Sequence, residues 1–323
     1  MGSRTAAIVL ADSFCQTRLT TMLLIYPRII LPEVNTHCMV PKNSASSRAI
    51  PVERRIEAVW DDEFFVPRYL GANKRGMQAD AKLDEHRAQR VETIWRASAV
   101  AAANTAAVLA GLGLHKQLAN RVLEPYVYVS SLLSFTEPGN LLNLRVHKDA
   151  QDEFFELADC MVEAYARSKP KALKPGEWHV PFGDRMPEGQ VDSYGKLMIS
   201  AARCARLSYE THDGDFSLEK DLELADSLMA SGHMSPFQHQ AQAVSPSEFW
   251  FGREHYPEET GRVLQENNAL WDGVDVWWAQ FRWWRMFRKT LKGENREAFS
   301  VPELRQRAEG IKHQRFGPIG GAL

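Results

Sequence analysis

The chain has 323 residues, 44% hydrophobic and 25% charged, a globular composition that excludes wholesale disorder and collagen-like repeats. With 39 Lys+Arg against 41 Asp+Glu the net charge is -2, so no global positive field draws nucleic acid or an anionic membrane to it. At roughly 150 residues per domain, the length admits two domains or one elaborated enzyme domain.

Residues 5–10 and 19–26 read as strands, the second rich in β-formers, and Pro27 and Pro32 punctuate the next stretch of chain. The run Ala6 to Ala11 is too short for a signal sequence, and a cytoplasmic protein is expected. A polar loop spans Glu33 to about Ser47, then Pro51 and VERRIEAVW predict a helix, followed by an extended piece from Phe64 to Leu70. From Leu83 to Gly111, Val91, Ile94, Trp95, Ser98, Ala102, Thr105 and Leu109 follow helical spacing, with Gly111 and Gly113 as the stop. Its alanine-rich part, Ser98 to Gly113, falls short of the ~20 apolar residues of a membrane span and reads as a buried helix.

Helices are expected at 115–124, before Pro125, and at 150–168, with Phe154, Phe155, Ala158, Val162 and Tyr165 on one stripe. Residues 169–194, with four prolines and three glycines, read as a linker carrying WHVPF. Ser217 is a suitable N-cap for LEKDLELADSLMAS, and Gly232 a suitable stop. Val276 to Leu291 reads as an aromatic and basic helix, and the residues after Phe299 as loosely ordered. From Arg282 to Leu323 ten Lys/Arg face four Asp/Glu, a surplus of +6 that leaves -8 for the rest.

Four separated cysteines, Cys15, Cys38, Cys160 and Cys204, lack any CxxC pair, so free thiols are the default. Cys38 follows His37, but adjacency does not place a base within reach of a thiol, and an inert role competes with a nucleophilic one. His233 and His239 are six apart, the wrong spacing for two ligands on one helix face, and no metal is expected.

Four stretches carry candidate chemistry. THCMVPKNSASSRA (36–49) gathers hydroxyls and Arg48 in a loop suited to phosphate, although helix capping accounts for the same residues. Arg121 in HKQLANRVLEP and Arg145 in EPGNLLNLRVHKDAQ offer forked donors for phosphate or a pyrimidine edge, or else are solvated surface charges. ARLSYETHD (205–213) and GHMSPFQHQ (232–240) form the fourth. Five of nine tryptophans fall between Trp271 and Trp284, among Arg282, Arg285 and Arg288. Such a mixture either stacks on single-stranded nucleic acid or makes one buried aromatic and one basic face.

Jointly these stretches resemble the flavin-dependent thymidylate synthases (thymidylate synthase complementing proteins). The family signature is RHR, seven residues, then S-x-R. Here Thr36, His37 and Cys38 are followed by seven residues and then Ser46, Ser47 and Arg48, with Asn43 also matching. Arg121 to Pro125, NLLNLR ending at Arg145, and Ala150-Gln151 match the later segment. ARLSY and GHMSPFQH resemble a stretch that in the family precedes RHR but here follows it, so the chain resembles a rearranged or circularly permuted member, a form associated with phage and some bacteria.

The resemblance implies an α/β (α+β) fold, a central sheet with a helical part, its segments in permuted order. Residues 1–168 would form the signature-loop and dUMP-binding part, 169–194 the linker, and 195–323 the flavin-binding part, together one composite catalytic domain. It implies a homotetramer and a methyltransferase reaction, dUMP to dTMP, with FAD as cofactor and methylenetetrahydrofolate and NADPH as co-substrates. Glu33, Ser46, Ser47, Arg48, Arg121 and Arg145 would meet dUMP, Arg145 being catalytic. Thr36, His37, Cys38, Ser134, Thr136, Asn140, Ser208, Ser235 and Gln238 would line FAD. The chain departs from the family at Thr36 and Cys38, where both signature arginines are missing, at Pro41 for a serine, at Ser44, where the family usually has a glutamate, and at Gln238 for a glutamate. A hydroxymethylase of dUMP or dCMP, and a non-catalytic nucleotide or single-strand binder, are the competing readings.

Overall fold

The aliphatic runs near the N-terminus pair as an antiparallel hairpin of β1 (Ala6–Phe14) and β2 (Arg18–Pro27), with Ala6 opposite Ile25 and Phe14 opposite Arg18. The structure is a computed structural model and describes residues 4–76, 79, 81–186, 189–207, 217–246, 277–278, 280–291 and 301–316. β4 (Tyr128–Phe135) lies antiparallel to β2 on its other side, and β3 (Lys42–Ser44) pairs with the outer edge of β4. β5 (Lys171–Ala172) joins β1 in parallel, which completes a mixed five-stranded sheet of order β3-β4-β2-β1-β5. With its helices this makes a mixed α/β, α+β architecture.

The period of two along β2 sends alternate side chains to opposite faces. Met22, Leu24 and Tyr26 join Val129 and Leu133 under Phe154, Leu157 and Met161 of α6 (Asp152–Arg167). Leu23 points the other way, to Leu132, Phe182 and Cys204 of α7 (Ser193–Leu207). On α6 the buried apolar residues are Phe154, Leu157, Ala158 and Met161, whereas Phe155 stays exposed, so the stripe is rotated from the expected one.

A second cluster joins α2 (Val52–Trp60) to α3 (Glu85–Gly111), whose N-terminus is capped by Asp84 accepting from the Arg87 N–H at 2.9 Å. α3 buries Ala99, Ala103 and Ala106, but Val100 and Val108 are exposed, which corrects the expectation of a buried helix: its alanines pack on one face only. α4 (Lys116–Ala119) passes into a 3-10 stretch, Asn120–Tyr126, that contains Pro125, where one continuous helix was expected over 115–124.

The stretch 169–194 is built into the sheets: besides β5 it supplies β6 (Trp178–His179), which pairs with β7 (Ala241–Ala243). α8 (Leu218–Ala230) starts at Ser217, whose side chain accepts from the Lys220 N–H, and Gly232 follows it at φ +76, a left-handed conformation that glycine adopts freely. α7 and α8 are joined by buried Asp221, which receives Arg203 at 3.0 Å and Arg206 at 2.8 Å.

The aromatic and basic stretch corrects a second expectation. It forms β8 (Trp277–Trp278), β9 (Phe281–Arg282) and β10 (Trp284–Met286), the last paired with β7, then a 3-10 turn from Phe287 to Thr290. Trp283 sits at φ +65 between the last two strands. Phe281, Trp284 and Phe287 are spaced by three, which imitates a helix face, yet Phe281 and Trp284 are buried by strand packing beside Leu19, Ala241 and Ala243, while Phe287, in the 3-10 turn, packs against Trp178, Tyr194 and Phe237. Residues Met1–Thr290 form one unit and Leu291–Leu323 a second. In the second, Val301–Phe316 is helical (α9), where loose order was expected. Among the described residues no helix is long and apolar enough to cross a membrane.

Candidate functional site

The signature-like loop supplies the edge strand of the sheet, β3. α1 (Leu31–Thr36) ends at His37, the chain turns, and β3 carries it past β4 to Ser46, Ser47 and Arg48. Nε of Arg145, the last residue of α5 (Gly139–Arg145), donates to His37 Nε2 at 3.0 Å, and its guanidinium lies 4.3 Å from the centroid of the Phe154 ring. His37 meets that ring edge-on at 5.7 Å. Burial, with Arg145 and Lys42 nearby, lowers the His37 pKa, so the neutral ring is favoured. Lys42 Nζ donates to the His37 carbonyl at 2.8 Å, and burial lowers its pKa too. The Cys38 thiol donates to the Thr36 carbonyl at 3.4 Å, while the His37 ring is engaged by Arg145 and Phe154, an arrangement of packing rather than of a nucleophile and its base.

Beyond β3 the loop meets the 3-10 stretch. Asn120 Nδ2 donates to the carbonyls of Ser47 and Ile50 at 2.8 and 2.9 Å, and Lys116 Nζ to that of Ala49 at 2.9 Å. Ser46 makes a tight turn with the Ala49 N–H, and its Oγ accepts from the Arg48 N–H at 3.3 Å. Ser47 Oγ donates to Glu124 Oε1 at 2.5 Å, and the same oxygen receives Arg121 at 2.8 Å and Arg28 at 3.1 Å. Arg48 is exposed. Arg28, Lys42 and Glu124 belong to the site through these contacts. Only Glu124 left a readable signal, its i,i+3 spacing from Arg121.

Gln238 enters from the distant GHMSPFQH segment. Its Nε2 donates to the Lys42 carbonyl at 3.1 Å and lies 3.4 Å from Asn43 Oδ1, and its Oε1 accepts from Arg288 at 3.5 Å. The structure thus brings Thr36, His37, Cys38, Arg145 and Gln238 to one end of the β3 edge and Ser46, Ser47 and Arg121 to the other. Glu33 sits in α1 with Oε2 buried and without a hydrogen-bond partner.

The expected flavin residues divide into two groups. Ser134 is fully buried in a polar chain, its Oγ bonded to Thr21 Oγ1 at 2.7 Å and to His239 Nδ1 at 2.8 Å, while Thr21 reaches His179 Nε2 at 2.9 Å. Thr136 Oγ1 accepts from the Arg282 N–H at 3.1 Å. These hydroxyls and the Gln238 amide are hydrogen-bonded within the protein. Thr36, Cys38, Asn140 and Ser235 are exposed, and Gln280 Nε2 donates to the Cys38 carbonyl at 3.1 Å, which brings the aromatic hairpin to Cys38. Ser208 lies outside the described residues. Phe281 and Trp284, fully buried, have no face to stack on a nucleic-acid base. Among the described residues no three His, Cys, Asp or Glu side chains gather as metal ligands.

These elements define a mixed α/β protein with a cationic, hydroxyl-lined sheet edge. No protein-family model and no curated protein matches the chain. Two solved structures of a UMP/dUMP methylase, PolB from Streptomyces cacaoi, overlap with it in part. With the form bound to 5-Br dUMP the TM-score is 0.39 at 18% identity, covering 46% of this chain and 66%, just under two thirds, of that one. With the form bound to 5-Br UMP the values are 0.44 and 16%, covering 51% and 90%.

Proposed function

We propose that the chain is a pyrimidine-nucleotide methylase of the flavin-dependent thymidylate synthase type, converting dUMP to dTMP with methylenetetrahydrofolate as carbon donor and NADPH as reductant. One observation carries the reading: Arg145 and Gln238, 108 and 196 residues along the chain from their partners, meet the same short loop at His37 and Lys42. A rearranged chain order that preserves the site requires that convergence.

In this reading Ser46, Ser47, Arg48 and Arg121 face the nucleotide's phosphate. Glu33 Oε2 accepts from a ring N–H, a role that suits its unpartnered oxygen. Arg145, held by His37 and Phe154, directs its remaining donors at the pyrimidine carbonyl and stabilises negative charge as carbon 5 becomes nucleophilic. FAD fits the exposed polar set in part: Thr36, Cys38, Asn140 and Ser235 would hold it, with Arg288 beside Gln238 supplying charge. When bound, the flavin supplies hydride. Assembly as four copies belongs to the same proposal.

Incubation of purified protein with FAD, dUMP, methylenetetrahydrofolate and NADPH, with the product weighed by mass spectrometry, tests it. A methyl addition supports the reading, a hydroxymethyl addition replaces it with the neighbouring chemistry, and unmodified dUMP removes it.

A further inference from the structure

We infer that Glu124 sets the selectivity of this site between phosphorylated and unphosphorylated pyrimidines, an inference that rests on the nucleotide reading above. Its carboxylate occupies the seat in which Ser47, Arg121 and Arg28 would hold a phosphate. Three donors from three elements converge on one oxygen: the Ser47 hydroxyl at 2.5 Å, Arg121 at 2.8 Å and Arg28 at 3.1 Å. A hydroxyl and two guanidinium groups around one anionic oxygen are the donor set that phosphate recruits.

The seat is built rather than incidental. Ser47 is 1% exposed, with its carbonyl fixed by buried Asn120, and the Arg28 side chain is 11% exposed, with Nη1 donating to the Ala45 carbonyl at 3.2 Å. The Glu124 side chain is 25% exposed and the Arg121 side chain 50%, so the carboxylate has a path into solvent that the inner donors lack. A phosphate and a carboxylate cannot share these donors, because like charges within a few ångströms repel in a partly desolvated site. A nucleoside monophosphate therefore enters by displacing Glu124 and loses affinity by that exchange. The corresponding nucleoside leaves the carboxylate in place.

The test compares dUMP and deoxyuridine binding to wild type and Glu124→Gln by calorimetry. Glutamine keeps the size and a neutral acceptor but removes the competing charge. Expected is dUMP binding at least about tenfold tighter to Glu124→Gln, with deoxyuridine unchanged. dUMP affinity equal or weaker in the variant overturns the inference. If neither pyrimidine binds either protein, the nucleotide reading is what has failed. The seat is then probed with inorganic phosphate by thermal shift. Phosphate must stabilise Glu124→Gln more than wild type, and an equal or smaller effect overturns the inference. Glu124→Ala, checked for fold by circular dichroism, must move in the same direction.

Discussion

Arg145 donates to the ring nitrogen of His37 at 3.0 Å while its guanidinium lies against Phe154 at 4.3 Å, so one aromatic side chain and one neutral imidazole fix the orientation of a single positive charge. A protonated imidazole has no lone pair to accept that bond. The pair therefore works only with His37 neutral, and its lowered pKa agrees.

Replacing Arg145 by alanine is expected to lower turnover of dUMP by roughly 10²–10³, the scale of losing one preorganised charge-stabilising donor. Lysine at this position restores charge but not the fork, and recovers little of the loss. Steady-state dTMP formation checks both variants. Wild-type turnover in Arg145→Ala removes Arg145 from the chemistry.

The acid limb of activity belongs partly to His37. Because its pKa lies below the ordinary histidine value of about 6.5, turnover is expected to hold down to that pH and to fall beneath it as the ring protonates and releases Arg145. In His37→Asn that limb changes shape. An unchanged pH profile contradicts the role given to this pair.

His179 and His239 are fully buried, and burial holds each pKa at about 3, with the His179 ring further disfavouring charge at His239. The unfolded chain binds these protons near pH 6.5, so between that pH and about 3 it binds more protons than the folded state, and stability falls as pH falls. At pH 5 the loss is about 2 kcal/mol for each ring. Urea unfolding at pH 7.5 and 5 measures it, and His239→Gln, where it folds, should lose less on acidification than wild type. Equal losses in the two proteins would refute this assignment.

Asp221 is buried between Arg203 and Arg206. Asp221→Ala removes the carboxylate facing both and is expected to cost about 3–5 kcal/mol, since Arg203 remains inside. Thermal or urea unfolding reads this directly, and a change below about 1 kcal/mol argues against it.

Gln238→Glu, the change toward the resembled family, should destabilise the protein by about 1–3 kcal/mol, because its Nε2 donates to the Lys42 carbonyl and a carboxylate would face that carbonyl without a proton. A fully stable Gln238→Glu protein means that the clamp on β3 lies elsewhere.

The parts legible in the sequence were those with a single clean period or a local cap. β1, β2 and α2 announced themselves by composition, and α8 by Ser217 and Gly232. β4 did not. Its serines look like loop residues until Ser134 is seen bonded to Thr21 and His239, and Ser131 to Tyr26 and Ser44, at 2.7–2.8 Å inside the sheet. The aromatic hairpin misled because Phe281, Trp284 and Phe287 satisfy a helical spacing, while the turn at Trp283 leaves no sequence mark. At the site the signature loop and its arginines were readable as motifs. Of their partners, Arg28 and Lys42 leave no mark and Glu124 only its i,i+3 spacing from Arg121, since these contacts depend on how β3 lies against the 3-10 stretch and α1.

The central claim is tested most directly by the mass of the nucleotide after reaction of the flavin-loaded protein with dUMP, methylenetetrahydrofolate and NADPH. dTMP is expected, formed only when all three are present. A yellow, folded protein that returns dUMP unchanged under those conditions contradicts it.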